Sequence, residues 1–337
     1  MTSESVQHSR GGLAEHVDPR ATASSRDRDR VALRQLLDET HRTLAGPNDV
    51  PTASKAVEDL VVGLWAIQQR NEHDAWVNEL APECQEHPIS RILTEDPYTR
   101  RALLKPRGFA GDAVMLDYLY DETPGTDVSP IGAEIFKATA LTSSGQSVVE
   151  RRELIASRIS ATVAAKPGAR VLSMACGHAR ELELLDAKTR SQLGEFLAVD
   201  QDGHALERIR SDQRGVPVRT IRGSVRDVIA GRIEASEIDF AYAAGLLDYL
   251  SDGVSKRLIR RLSECLAPGG RLLVGNFTPT NWGRGYMDAF MEWHLTYRTT
   301  TELREIGRSA GIAREIRVER VFEDRLGNVA YLELTVA

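Results

Sequence analysis

The sequence has few cysteines, no long apolar run and no dense block of one charge. Its three cysteines, Cys84, Cys176 and Cys265, are odd in number and form no C-x-x-C pair. This excludes a disulfide framework and points to free thiols in a reducing compartment. No apolar segment approaches the roughly 20 residues that a bilayer span needs. The opening stretch MTSESVQHSRGGLAEHVDPRATASSRDRDR lacks the apolar core of a signal peptide, so a cytoplasmic location is the expectation. Residues 1–28 are too polar to bury much surface and read as a disordered leader. With a net charge of −6 and no Lys/Arg cluster, nucleic acid and anionic membranes are disfavoured as partners. No set of His, Cys, Asp and Glu has persuasive metal-ligand spacing, so no metal is expected.

What is present is the balance of a soluble globular protein: 337 residues, 42% hydrophobic and 27% charged. From Val31 to about residue 160 the apolar residues recur in helical rhythm, as in VALRQLLDETHRTL. Inside that region, KPRGFAGD breaks the helix with Pro106, Gly108 and Gly111. This loop reads either as a turn in which Arg107 pairs with Asp112 or Asp117, or as a segment closing over a site. Beyond residue 160 strands alternate with helices: ARVLSMAC, GEFLAVD, VPVRTIRGS, EIDFAYAAG and RLLVGNF. Such alternation means βαβ units and a parallel sheet. REIRVERVFED and VAYLELTVA, joined by RLGN, then read as a closing hairpin. The fold class is α/β: a Rossmann-like, mostly parallel seven-stranded sheet with a terminal antiparallel hairpin and a helical N-terminal lid. We divide the chain into the leader (1–28), a helical lid and substrate-binding region (29–144) and a cofactor-binding domain (145–337).

Glycine is scarce where a nucleotide cradle would be richest in it. In VLSMACGHARELELL, residues 171–185, Gly177 stands alone between Ala175 and Ala179. It still lets backbone approach a ligand, and a helix beginning near His178 would offer free N–H groups. Asp200 ends the second strand 23 positions later, where an acid accepts hydrogen bonds from ribose hydroxyls. Together they favour an adenosine-bearing cofactor over a plain α/β domain with a tight turn. A single glycine followed by Arg180-Glu181 suits a zwitterionic amino-acid tail better than a pyrophosphate.

ACGHARE, the acid Asp200, the turn Pro268-Gly269-Gly270 and the closing hairpin together resemble the class I S-adenosylmethionine-dependent methyltransferases. The departures are Ala175 in place of the first glycine and Ser173 in place of an acid on the first strand. KPRGFAGDAVMLDYLY, YAAGLLDYLSD, GNFTPTN and MEWHLTYRTTTEL are similar to a bacterial group that includes the enzymes making 3-hydroxypalmitic acid methyl ester. The resemblance implies S-adenosyl-L-methionine as cofactor, held at Ala175, Cys176, Gly177, Arg180, Asp200, Gln201, Ser224, Val225 and Ala244, the adenine lying at Ser224 and Val225. It also implies a small-molecule acceptor, with O-methylation of a carboxylate on a fatty acid or secondary metabolite expected first. N-, C- or phenol O-methylation of an amino-acid-derived metabolite is the alternative, and a homodimer is compatible with it. An NAD-dependent oxidoreductase would want more glycines and no hairpin; the altered loop also leaves room for a non-catalytic cofactor-binding protein.

Methyl transfer is a displacement that depends on alignment. A carboxylate nucleophile needs a cation to orient it, whereas an amine or phenol wants a base. The candidates are Arg107 as a carboxylate fork, Asp248 and Asn276 at strand tips, and His294 and Tyr297 in the late insert, beside Trp293 and Arg298. Asp248 reads equally as a helix cap, Tyr249 as core, and His294 as a structural histidine.

Overall fold

The computed structural model describes residues 19–46, 50–213 and 215–337. Its strands are β1 (Arg170–Met174), β2 (Glu195–Asp200), β3 (Val218–Arg222), β4 (Ile238–Ala243), β5 (Leu266–Phe277), β6 (Ile316–Glu323) and β7 (Val329–Val336). They form one sheet in the order β3-β2-β1-β4-β5-β7-β6. The first five run parallel, and β7 lies antiparallel between β5 and β6. The Rossmann-like sheet with its terminal hairpin is the one that the alternation predicts. The hairpin loop is pinned by Asp324, whose Oδ1 accepts from the amides of Asn328 at 2.8 Å and Val329 at 3.2 Å.

Before the sheet come α1 (Pro19–Ala45), α2 (Val50–Gln69), α3 (Pro97–Leu104), α4 (Ala113–Asp121), α5 (Pro130–Thr139) and α6 (Ser143–Ala165), with shorter turns between. Local chemistry sets the starts of α3 to α6. The side chains of Asp96, Asp112, Ser129 and Thr142 each accept from a first-turn amide, satisfying donors that a helix end leaves bare. Asp112 is thus a cap. It is also gripped at both carboxylate oxygens by Arg101, at 2.9 and 2.7 Å, and not by Arg107. After the sheet begins, the longer helices are α7 (Gly203–Asp212), α8 (Asp252–Glu264), α9 (Arg284–Phe290) and α10 (Thr300–Arg308).

Side chains alternate across the strands, so each sheet face has its own core. On one face Val171, Phe196, Phe240 and Tyr242 pack with Ile155 and Ile159 of α6, and the same cluster continues to Leu33, Leu60 and Trp76. On the other, Leu172, Leu197, Ala241 and Leu272 pack with Leu258 and Leu262 of α8 and Ile306 of α10.

Four expectations change in detail. Of the expected leader, residues 1–18 lie outside the described residues, whereas 19–28 belong to α1. The stretch after β1 is no continuous helix: a 3-10 turn over Arg180–Leu184 is followed by a short helix, Ala187–Gln192. Ala179 is left-handed at φ 49°, and Asp186 caps the second piece by accepting from Thr189 at 2.6 Å. The helix dipole expected at His178 is therefore missing. Pro268–Gly270 lies within β5 as a bulge and not as a turn before it. Ile238 pairs with Leu266 but Phe240 with Arg271, and Gly269 sits at φ 77°. The boundary expected at residue 145 falls inside α6, and one hydrophobic cluster runs across it.

Candidate active site

Above the carboxyl ends of β1–β4 the helices leave a cavity of about 630 Å³. This is where an open parallel sheet places its ligand. One end lies over β2 and β3. The loop leaving β1 holds Ala175 and Gly177 at φ 55° and 52°. A Cβ on Gly177 would meet only ordinary contact at 3.4 Å from Ala113, so backbone conformation and not crowding calls for glycine there. Its amide donates to Asp200 Oδ2 at 2.9 Å, and the Asp202 amide donates to Oδ1 at 2.9 Å. Burial raises the Asp200 carboxyl above the ordinary carboxylate range, and these amides oppose that rise. Gln201, Ser224, Val225 and Ala244 also line the cavity. Ser224 opens a short helix in a capping box with Asp227.

Arg180 belongs elsewhere. It binds Asp117 at 3.0 Å, Asp121 at 2.7 Å and Glu183 at 2.7 Å and does not line the cavity. Asp117 of α4 gathers His178 at 2.9 Å and Arg208 at 3.0 Å as well. Burial alone would lift its carboxyl, but His178, Arg208 and Arg180 hold it below the ordinary value. Arg180 therefore fastens the β1 loop to the N-terminal helices.

The other end of the cavity is apolar and aromatic. Tyr98, Phe109, Leu116, Leu119, Met287, Met291 and Trp293 contribute. Tyr249 accepts from Trp293 Nε1 at 2.9 Å, and a Cβ at Gly111 would overlap both. This close approach explains one glycine of the KPRGFAGD loop. Tyr249 is a cavity wall and 41% exposed, so it is not core.

Among the catalytic candidates, Asp248 lines the cavity and is buried. Its Oδ1 accepts from the Phe277 amide at 2.6 Å, and its own backbone amide also bonds the carboxylate. Burial pushes its carboxyl up to about 6, against the pull of the Phe277 amide, Arg151 and Arg298. Its side chain caps no helix. The remaining candidates do not line the cavity. Asn276 is fully buried and satisfied: it donates to the carbonyls of Phe277 and Thr296 and accepts from Arg298 at 2.6 Å. His294 pairs with Asp288 at 3.0 Å, whose other oxygen takes Gln68 and Trp76. Tyr297 packs its ring under the Arg284 guanidinium at 4.4 Å. The Arg107 guanidinium is committed to Asp202, which caps α7 and lines the cavity. Arg107→Ala is accordingly expected to reduce stability by about 1–2 kcal/mol and to weaken cofactor binding with it. A selective rise in acceptor KM with an unchanged melting temperature would instead restore Arg107 as an acceptor anchor.

The sequence reading missed Arg151, Glu181 and Asp202, all on the cavity. Glu181 and Asp202 stand within a few residues of Gly177 and Asp200, which is the signal that pointed to them. Arg151 sits mid-helix, 93 positions from the Ala244 carbonyl that it binds, and no local signal marks it.

Set against known families, the strand tips and loop fall within one domain type. Residues 171–270 match the methyltransferase domain family. That segment runs from β1 to the bulge of β5 and includes Gly177, Asp200 and Asp248. Among solved structures, a possible exported protein from Bordetella parapertussis is 16% identical, covers 95% of this chain and 99% of its own, and has a TM-score of 0.55. It shares the fold. The N-methyltransferase NodS from Bradyrhizobium japonicum, in complex with S-adenosyl-L-homocysteine, is 16% identical over 56% of this chain and 87% of its own, with a TM-score of 0.41. The magnesium protoporphyrin IX methyltransferase of Synechocystis, with the same compound bound, is 13% identical over 57% and 86%, with a TM-score of 0.42. No curated protein sequence matches the chain.

Proposed function

We propose that the chain transfers a methyl group from S-adenosyl-L-methionine to a small, largely apolar acceptor. The observation that carries this reading is the single cavity joining the Gly177–Asp200 cradle to an aromatic chamber. The cradle fits the cofactor: a left-handed glycine in the loop after β1, an acid at the tip of β2 for the ribose, and Ser224-Val225 after β3 for the adenine. When bound, the cofactor supplies an electrophilic methyl on a sulfonium. The rest falls to the chain. Tyr98, Tyr249 and Trp293 wall the acceptor off from water and hold it in line. The Asp248 carboxylate, on the cavity wall, receives a proton from the attacking group.

That role for Asp248 favours an acceptor with a dissociable proton, a hydroxyl or an amine. The carboxylate O-methylation that the family likeness implies, on a fatty acid or secondary metabolite, wants a cation at the acceptor. Arg107 is committed to Asp202, and Arg298 to Asn276, Asp252 and two backbone carbonyls, which leaves Arg151, bonded to the Ala244 carbonyl, as a cation on the cavity wall. On the strength of Asp248 we place the carboxylate second and regard the group making 3-hydroxypalmitic acid methyl ester as a relative in architecture.

The test begins with calorimetric binding of S-adenosylhomocysteine against NAD. Asp200→Ala is expected to weaken S-adenosylhomocysteine about 10- to 100-fold, as for a lost charge-assisted hydrogen bond. Preferred binding of NAD would remove the methyltransferase reading. Labelled S-adenosylmethionine offered with apolar phenols, alcohols, amines and carboxylic acids then identifies the acceptor atom; label on the carboxylic acids alone would reverse the ranking of acceptors.

A further inference from the structure

Tyr249 closes the turn Leu247–Tyr249 that follows β4, and it lines the cavity at the aromatic end. Its hydroxyl is held from two other parts of the chain. Trp293 Nε1, from the late insert, donates to it at 2.9 Å, and the amide of Gly111, from the KPRGFAGD loop, is a second donor to the same oxygen. The approach is close: a Cβ on Gly111 would overlap that oxygen and stand 2.6 Å from the Trp293 ring.

An indole N–H and a backbone N–H can only donate. The Tyr249 oxygen is therefore the acceptor in both bonds, and its own proton is left over. No oxygen or nitrogen among the described residues takes that proton. The result is a hydroxyl fixed in place with its donor unused, in a chamber whose other walls include Phe109, Leu116, Leu119, Met287 and Met291. A donor without an acceptor in apolar surroundings costs free energy, and a ligand that supplies the acceptor removes that cost. Tyr98 brings a second hydroxyl to this end, but no donor among the described residues fixes it.

Asp248 immediately precedes Tyr249 and lines the same cavity. The two groups are complementary: a carboxylate that accepts and a hydroxyl that donates, from consecutive positions of one turn. A molecule that hands its proton to Asp248 meets Tyr249 with a neighbouring atom, and that atom must carry a lone pair.

We propose that Tyr249 selects the methyl acceptor by donating a hydrogen bond to an oxygen that lies beside the hydroxyl or amine under attack. The class of compound that fits is flat and largely apolar with such an adjacent pair, a hydroxyaryl carbonyl being the simplest. The proposal rests on the methyl-transfer reading above and deepens it. Tyr249 forms no covalent bond and keeps its proton; it ranks acceptors and sets their orientation. This role also accounts for two loops remote in sequence, around Gly111 and Trp293, meeting at one phenolic oxygen.

The experiment compares 2-hydroxyacetophenone with 2-ethylphenol. Both carry a hydroxyl and an adjacent two-carbon branch on one ring, and only the first has a carbonyl. Each is titrated calorimetrically into the chain saturated with S-adenosylhomocysteine, and the ratio of the two affinities is the readout. Tyr249→Phe keeps the ring and removes the donor, and is expected to shift the ratio about 3- to 10-fold towards 2-ethylphenol, the worth of one neutral hydrogen bond. Trp293→Phe is expected to shift it less, since the hydroxyl stays but loses one of its two fixings. Tyr98→Phe is expected to leave the ratio within about twofold. An unchanged ratio in Tyr249→Phe, through no loss or through equal loss of both probes, would overturn the proposal. So would a shift that appears in Tyr98→Phe instead, or failure of both probes to bind a natural chain that binds S-adenosylhomocysteine. Failure of the natural chain to bind S-adenosylhomocysteine would defeat the methyl-transfer reading itself.

Discussion

Asp248→Asn is expected to lower kcat/KM for methyl transfer by about 10²- to 10⁴-fold, the usual worth of a positioned general base. Affinity for S-adenosylhomocysteine should stay close to that of the natural chain. The substitution keeps an oxygen for the Phe277 amide, so local structure survives. In the natural chain, activity should fall as the pH drops below about 6, where the Asp248 carboxyl takes up its proton. The stability effect has the opposite sense. Burial raises this carboxyl above its unfolded value of about 3.9, so the folded state binds the proton more tightly. The cost of burying the ionised form is absent below about pH 4 and fully present above about pH 6. Asp248→Asn should therefore melt higher than the natural chain at pH 7.5, and the difference should vanish near pH 4. Wild-type kinetics in a folded Asp248→Asn variant would remove the base and return the carboxylate acceptor to first place.

A chain beginning at residue 143 is expected to lose cooperative unfolding altogether. The face of the sheet carrying Val171, Phe196 and Phe240 is covered by α6, and α6 shares its cluster with Phe136, Leu119, Leu60 and Leu33 from the preceding helices. Deleting residues 1–142 strips one side of a continuous core. At about 25 cal/mol per Å² of apolar surface, exposing about 200–600 Å² already matches the roughly 5–15 kcal/mol by which a domain is stable. Thermal and urea melts followed by near-ultraviolet circular dichroism measure this. A sharp transition in the truncated chain would make the N-terminal helices a detachable unit.

The sheet was legible because parallel strands are buried on both faces and read as unbroken apolar runs, as in EFLAVD. The same logic located Gly177 and Asp200, which stand at strand tips by construction. The helix after β1 was misread because ARELELLDAKTRSQ has helical composition, whereas Asp186 draws the Thr189 amide into a new cap and breaks the run. Site residues from the insert were harder. Residues 292–299 form neither helix nor strand, so no period reports which side chains face inward. Trp293 turns to the cavity while His294 turns to Asp288. Arg107 was placed in the right loop but given the wrong partner, since Asp202 lies 95 positions away. Long-range pairings of this kind leave no trace in local spacing.

Asp117 stands between two neighbours in α4, Leu116 and Leu119, that shape the acceptor end of the cavity. Through His178 and Arg180 the same helix grips the loop that cradles the donor. Any mutation that widens the chamber by moving α4 must also tug on Gly177's neighbour. Acceptor range and donor grip are inherited as one trait in this scaffold, and a lineage adopting a new acceptor would have to retune its hold on the methyl donor at the same step.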